Sequence, residues 1–372
     1  MTENGKKQLL IIGNGFDLAC GLKSSYADFF KERYKKILTD AEGLIFKKKE
    51  YPMRNDRVMK TELIFHDLNQ LSCLKENEKI FNSLDLFFVA EHFFQGTNVN
   101  RWCDVEELIK EIVSIVNNDV SNEVPKYILN KFNKYIECQN DYLRLTDNKL
   151  FDNLKKIEKY FKDYICDISN NYDYVSNEIS LLTELTKNFV QSKVLSFNYT
   201  YGPTTYSKLS ETELTNKIKS YRNIHGSIDK KDNIIFGIDS LNISPSSEMY
   251  RFTKTYRIMA NNLNDNYIDI LNDDVDTITF YGHSLAEADF SYFESIFDYY
   301  DIYDSKVTLE FYCVLYRNGF KSINNNLRRK NYEAICKLLY KYGESIGGMR
   351  GKNLVHKLLL ENRLKIRYKY TR

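Results

Sequence analysis

Along the chain the first clear pattern is an apolar run, Leu9 to Ile12, bounded by charge before it and by Gly13 after it. A short continuous run of this kind predicts a buried strand over Gln8 to Ile12. Gly13-Asn14-Gly15 follows as a sharp turn, and Tyr26, Phe29, Phe30 and Ile37 then recur at helical spacing within Ser24 to Leu38. From about Lys47 to Asn188 the period changes. Apolar residues recur at three and four, as in Leu84, Phe87, Phe88 and in Val105, Leu108, Ile109, Ile112, and Phe151 to Tyr164 repeats this with heavy Lys. This predicts a long stretch of amphipathic helices, one of them opened by Asp104 with Glu107 in the manner of a capping box.

Strand signals return at Lys193 to Phe197, near Asn223 to Gly226, at Ile234 to Gly237, at Thr277 to Gly282 and at Val307 to Leu315. Helical patterns fill Met249 to Leu271 and Ala286 to Tyr300, and Leu364, Ile366, Tyr368, Tyr370 alternate with Lys365, Arg367, Lys369 as in an edge strand. Alternating strands and helices predict an α/β fold with a parallel, doubly wound, Rossmann-like sheet. The first strand and its glycine turn belong with the later strands. The expected organisation is thus a core of residues 1–46 and 189–372, with 47–188 as a large, mainly helical insertion or cap.

Composition narrows the class. With 43% hydrophobic and 14% aromatic residues, the 372-residue chain is excluded from the disordered class. Only 15 Gly and 4 Pro argue against a turn-dense sandwich or propeller. A net charge of +2 gives no overall basic field for nucleic acid, but leaves room for one anionic ligand bound at a turn. The seven cysteines are odd in number without a C-x-x-C pair, so neither a disulfide framework nor a zinc ribbon is expected. Five histidines (His66, His92, His225, His283, His356) show no ligand spacing, and no metal is expected. Neither a secretory signal nor an apolar run of about 18 residues is present, so a cytoplasmic protein without a membrane partner is expected. Lys47-Lys48-Lys49 and the tail Arg363 to Arg372 read as solvated faces that could touch an anion.

Chemistry concentrates at strand ends. In Gly13-Asn14-Gly15-Phe16-Asp17 a strand enters a Gly-x-Gly turn at a helix start, where backbone N–H groups and the helix dipole favour a phosphate. Leu18 stands where G-x-G-x-x-G has its third glycine, and the same residues also suit a tight turn with Asp17 as cap. Asn198 and His225 each follow a predicted strand. An Asn there can orient a ribose hydroxyl or a water, and a His can act as general base. Gly282-His283-Ser284-Leu285-Ala286 follows another strand. It reads either as a nucleotide-contacting loop, with Ser284 and Asp289 on sugar or phosphate, or as a nucleophile elbow with Ala286 in the final glycine position. The elbow needs a downstream histidine, and His356 is the only one.

The string IIGNGFDLACGLKSSYADFF closely resembles the N-terminal signature of the AbiH family of bacterial abortive-infection proteins. In order after it come Trp102-x-Asp104-x-Glu106, Phe197-Asn198-Tyr199-Thr200, Ile224-His225-Gly226, and Gly282-His283-Ser284-Leu285 with Asp289, spanning nearly the whole chain. A more distant resemblance is to the sirtuin-like NAD-binding superfamily, through Gly13 and Gly15, Asn198 and His225. The chain has no four-cysteine zinc module, and Thr200 stands where the related pattern has Asp. The two resemblances imply a phage-defence effector with a sirtuin-like core. In it a dinucleotide is bound by Gly13, Asn14, Gly15, Phe16, Asp17, Gly226, Gly282, His283, Ser284 and Asp289, and NAD is hydrolysed with Asn198 and His225 as the catalytic pair. They also imply a phage-derived trigger and a homo-oligomer. The alternatives are a nucleotide-sensing or phage-recognition module without turnover, and a serine hydrolase using Ser284.

Overall fold

In chain order the elements are β1 (Lys7–Ile12), α1 (Asn14–Ala19), α2 (Tyr26–Arg33), β2 (Phe46–Pro52), β3 (Arg57–Leu63), α3 (Val105–Val116), α4 (Asp147–Ser169), α5 (Tyr172–Thr186) and β4 (Gln191–Ser196). They continue with α6 (Glu213–Lys217), β5 (Ile218–Asn223), α7 (Lys254–Asn261), β6 (Thr277–Tyr281), α8 (Phe290–Tyr299), β7 (Thr308–Leu315), α9 (Lys321–Ile346), α10 (Gly348–Leu360) and β8 (Leu364–Tyr370). The computed structural model describes residues 5–35, 46–52, 57–63, 84–85, 88, 105–116, 147–200, 202, 213–229, 233–240, 243–261, 269–271, 274–315 and 321–370.

Six strands form one sheet in the order β5-β4-β1-β6-β7-β8, and every neighbouring pair is parallel. The chain builds outward from β1 through β4 to β5, then returns to the far side of β1 for β6, β7 and β8. The strand order therefore reverses beside β1. Because all six strands point the same way, their carboxyl ends share one edge, where open α/β sheets form a ligand crevice at the reversal.

The apolar run of β1 is continuous because both of its faces are covered. Leu10 and Ile12 pack with Phe16 of α1, with Leu181, Leu182 and Leu185 of α5, and with Val194 and Tyr281. Leu9 and Ile11 face the other way, against Phe293 and Phe297 of α8, Leu338 and Leu339 of α9, and Leu354 and Leu358 of α10. At about 25 cal/mol per Å² of apolar surface, two such layers are the main stabilising term. Gln8 ties three strands together at the sheet centre. Its Nε2 donates to Thr279 Oγ1 at 2.8 Å, and its Oε1 accepts from Ser192 Oγ at 2.9 Å.

The α/β sheet and most of the expected strands are present, with four differences. Phe46–Pro52 and Arg57–Leu63 pair as antiparallel strands, β2 with β3, instead of helix. Its sequence lacks the three-four spacing that starts only near Leu84. Ile234 to Gly237 is extended but joins no ladder. Glu158 of α4 takes the Phe236 N–H at 2.8 Å, His225 O takes the Ile235 N–H at 3.0 Å, and Ile238 makes a single bridge to Thr253. The helix expected from Met249 is split at Thr253 into a short 3-10 turn, Glu248–Phe252, and α7. Helices α9 and α10 carry no expectation from sequence, yet they cover one sheet face. Asp104 of the capping box lies outside the described residues. So do Phe87, Ile37 and Leu38.

Of the basic tail, Arg363 is turned inward. It donates to the carbonyls of Ile302, Val307 and Tyr303, while Arg367 pairs with Glu310. No helix among the described residues is long and apolar enough to cross a membrane.

Candidate functional site

The carboxyl ends of β1, β4, β5 and β6 open into a cavity of about 640 Å³, a size usual for small-molecule sites. Gly13, Asn14, Gly15 and Asp17 line it after β1, Phe197, Asn198 and Tyr199 after β4, His225 after β5, and Gly282, His283 and Ser284 after β6. Phe161 of α4 forms part of the wall. It is held there by rings of Tyr199 (5.6 Å) and Phe236 (5.3 Å), and by the buried Glu158–Arg257 ion pair at 2.6 Å.

One wall carries a chain of charge. Lys254 Nζ, at the start of α7, lies 2.8 Å from Glu106 Oε1 and 2.6 Å from Asp289 Oδ1. Burial acts to lower the Lys254 pKa, but Glu106 and Asp289 outweigh it and hold the ammonium above its ordinary range. Burial acts to raise Asp289, but Lys254 and the hydrogen bond of His283 hold that carboxyl well below the usual carboxylate range. His283 Nε2 is 3.3 Å from Asp289 Oδ2, and His225 Nε2 is 3.5 Å from Asp289 Oδ1. His283 Nδ1 accepts the Leu285 N–H at 2.9 Å, which leaves Nε2 as the nitrogen that faces Asp289. The pKa of His225 is pushed down to about 3 by burial and then by Lys254, against the pull of Asp289. The His225 ring is neutral. Phe197 sets both rings, edge to face, at 5.4 Å from His225 and 4.5 Å from His283.

Two buried groups stand without partners at the cavity. Neither atom of the Asn198 amide has a hydrogen bond of ordinary length and angle within the protein, and neither has His225 Nε2. Beside Asn198, the Asp17 carboxyl accepts from Tyr174 Oη at 3.0 Å and Thr200 Oγ1 at 3.2 Å. Burial lifts its pKa to about 7, against Tyr174, Thr200 and the nearby Asn198 amide, which lower it. Behind it Glu178 is fully buried with both oxygens unpartnered, and burial with the nearness of Asp17 pushes its pKa well up.

The turns after β1 and β6 touch backbone to backbone. Gly13 N–H donates to Tyr281 O at 3.1 Å, Gly15 N–H to Gly282 O at 2.7 Å, and Phe16 N–H to Gly13 O at 2.8 Å. The N–H groups of the Gly-x-Gly turn that sequence offers to a phosphate are thus largely occupied within the protein. What reaches the cavity here is close-packed glycine backbone with the side chains of Asn14, Ser24 and Ser284.

Of the residues singled out by sequence, Gly13, Asn14, Gly15, Asp17, Asn198, His225, Gly282, His283, Ser284 and Asp289 meet at this one cavity. Two do not reach its wall. The Phe16 side chain is in the core, edge-on to Tyr281 at 6.0 Å. Gly226 forms a turn at φ +80° pressed against the Asn233 carbonyl. Among the described residues, Ser284 makes no hydrogen bond to a histidine. The left-handed residues of its loop are Gly282 (φ 68°) and Leu285 (φ 58°) rather than the serine, unlike a strained nucleophile elbow. Lys254 and Glu106 were not assigned to the site by sequence. Glu106 appears there only as part of a family-like string, and nothing distinguishes Lys254 from the other basic residues. Among the described residues no group of three or more His, Cys, Asp or Glu is arranged to hold a metal ion.

Comparison with curated proteins and with solved structures gave no match. The family model described as "Bacteriophage abortive infection AbiH" matches residues 9–311, which take in Leu9 to Ile12 of β1, the hairpin, the helices that follow and the strand ends around the cavity. The protein therefore belongs to the AbiH family, which implies a part in abortive infection, the defence of bacteria against phage.

Proposed function

We propose that the cavity binds a dinucleotide and that the protein acts in phage defence by hydrolysing NAD to nicotinamide and ADP-ribose. The observation that carries this reading is the meeting of Asn198 and His225, each with unpartnered buried polar atoms, with the Gly13–Asp17 turn and Gly282 in one cavity. Numbered along the chain, the six sheet strands run 3-2-1-4-5-6, the order of Rossmann-like dinucleotide-binding sheets, and the cavity is at their reversal. In this sirtuin-like reading the pyrophosphate lies against Gly13 to Asp17, approached closely by glycine backbone and bonded by Asn14, Ser24 and Ser284.

The reacting end then faces Asn198, His225 and Asp289. Breaking the glycosidic bond to nicotinamide leaves positive charge on the ribose ring. The Asp289 carboxylate at the Lys254 wall stabilises that charge. The bond pair leaves with nicotinamide, and a water adds to the ribose carbon and gives its proton to solvent water. Asn198 orients the ribose or this water. Neutral His225 accepts the hydrogen bond of a ribose hydroxyl, and its low proton affinity keeps it in acceptor form across the physiological range.

Protein purified from phage-infected cells tests this with NAD, by release of nicotinamide. The reading expects release by the wild type and at least about a hundred-fold less from Asn198→Ala and from His225→Ala. No release, or equal release by both variants, overturns it. The low proton affinity of His225 favours a second reading, a nucleotide sensor without turnover. In that case His225→Ala keeps both binding and protection.

A further inference from the structure

We infer that Glu106 is a positioning residue of this site, holding one side of the Lys254 ammonium so that Asp289 stays free to face His225 and His283. The inference rests on the proposed reading of the cavity as an active site. Glu106 comes from the first turn of α3, in the long segment between β1 and β4, and it lines the cavity that the strand ends form. Its neighbours Val105, Leu108 and Ile109 are buried, which fixes the helix start against the core.

The geometry gives Glu106 a role that simple charge neutralisation would not. Lys254 Nζ is bridged by two carboxylates at nearly equal distance, 2.8 Å to Glu106 and 2.6 Å to Asp289. Asp289 at the same time faces the two histidines, at 3.3 and 3.5 Å. With Glu106 removed, the Lys254 ammonium loses one of its two carboxylates, and Asp289 is drawn towards Nζ and away from the rings. Glu106 thus acts on the reaction through Lys254, without touching substrate. A displacement of α3 would have the same effect as removing the carboxylate. The segment between β1 and β4 is therefore a working part of the site.

Glu106→Gln, Lys254→Met and the double variant test this. Protein from infected cells is assayed for nicotinamide release from NAD, with kcat and KM separated. Glu106→Gln is expected to lower kcat about ten-fold with KM little changed and the thermal midpoint close to wild type. The double variant is expected to be no slower than Lys254→Met, because the effect runs through Lys254. Release unchanged in Glu106→Gln, or losses that multiply in the double variant, overturn the proposal.

A second readout needs no activity and no Lys254 variant that folds. A buried, bridged ammonium exchanges its protons slowly enough to give a lysine 15N–1H signal. Such a signal in the wild type that is lost in Glu106→Gln supports the bridge, and its absence from the wild type overturns it. If the wild type shows the signal but cleaves no NAD, the proposed reaction fails while the positioning of Lys254 stands.

Discussion

Gly282→Ala tests the backbone contact on which the cavity floor is built. A Cβ at Gly282 would stand 2.3 Å from Phe16 N and 2.5 Å from Gly15 C, both backbone atoms. Those atoms must retreat by about 1 Å to reach ordinary contact, which is overpacking of a kind that costs about 1–3 kcal/mol. They are not free to do so, because Gly15 N–H is bonded to Gly282 O at 2.7 Å and Gly13 N–H to Tyr281 O at 3.1 Å. The φ of +68° at Gly282 adds about 1–2 kcal/mol for any residue with a Cβ. The sum is about 2–5 kcal/mol, set against a typical stability of about 5–15 kcal/mol. Gly347→Ala is the internal control, since its φ is +76° and nothing lies within 4 Å of the added carbon. It should lose only the conformational part, about 1–2 kcal/mol. Urea unfolding of both variants measures the difference through midpoint and slope. Equal losses in the two would refute the claim that the turns after β1 and β6 are in unyielding contact.

Three further outcomes follow from the buried charges. Glu158→Ala leaves Arg257 buried opposite no carboxylate and should cost about 3–5 kcal/mol in urea unfolding, because the pair is at 2.6 Å and also holds the Phe236 N–H; a loss below about 1 kcal/mol contradicts the ion-pair account of how α4 is fastened. Asp17, lifted from 3.8 to about 7, holds its proton more tightly in the folded chain than in the unfolded one. Stability conferred by that proton is full below about pH 4 and is lost as pH rises to about 7, by up to about 4 kcal/mol. Asp17→Asn should therefore show a smaller fall between those pH values than the wild type, and parallel pH profiles would contradict the raised carboxyl. The His225 ring, pushed down to about 3, should show no titration between about pH 5 and 8 in histidine NMR, where a midpoint near 6.5 would place it in a wetter setting than the cavity gives.

The central strands were legible because β1 is a continuous apolar run, β6 is rich in β-branched and aromatic residues, and both run into glycine. Asn198, His225 and Gly282 could be placed together from sequence for a related reason: in a parallel sheet the residue after each strand falls on the same edge. Lys254 and Glu106 could not. A lysine or glutamate at the start of a helix usually faces water, and only the tertiary approach of α3, α7 and α8 makes these two an enclosed pair with Asp289. The segment Ile234 to Gly237 has strand composition, but the side chain of Glu158 supplies the acceptor that a neighbouring strand would have offered. Similarly, the Gly-x-Gly turn was legible as a turn, while its N–H partners were not, because they come from the loop after β6.

The central claim is that one dinucleotide spans the carboxyl edge from Gly13 to His225. A crystal of His225→Ala soaked with NAD tests it most directly, since that variant is expected to hold the substrate without cleaving it. The account predicts density with its diphosphate against Gly13 to Asp17 and its nicotinamide riboside beside Asn198 and Asp289. A cavity without ligand at millimolar NAD, or density confined to another face of the molecule, would contradict it.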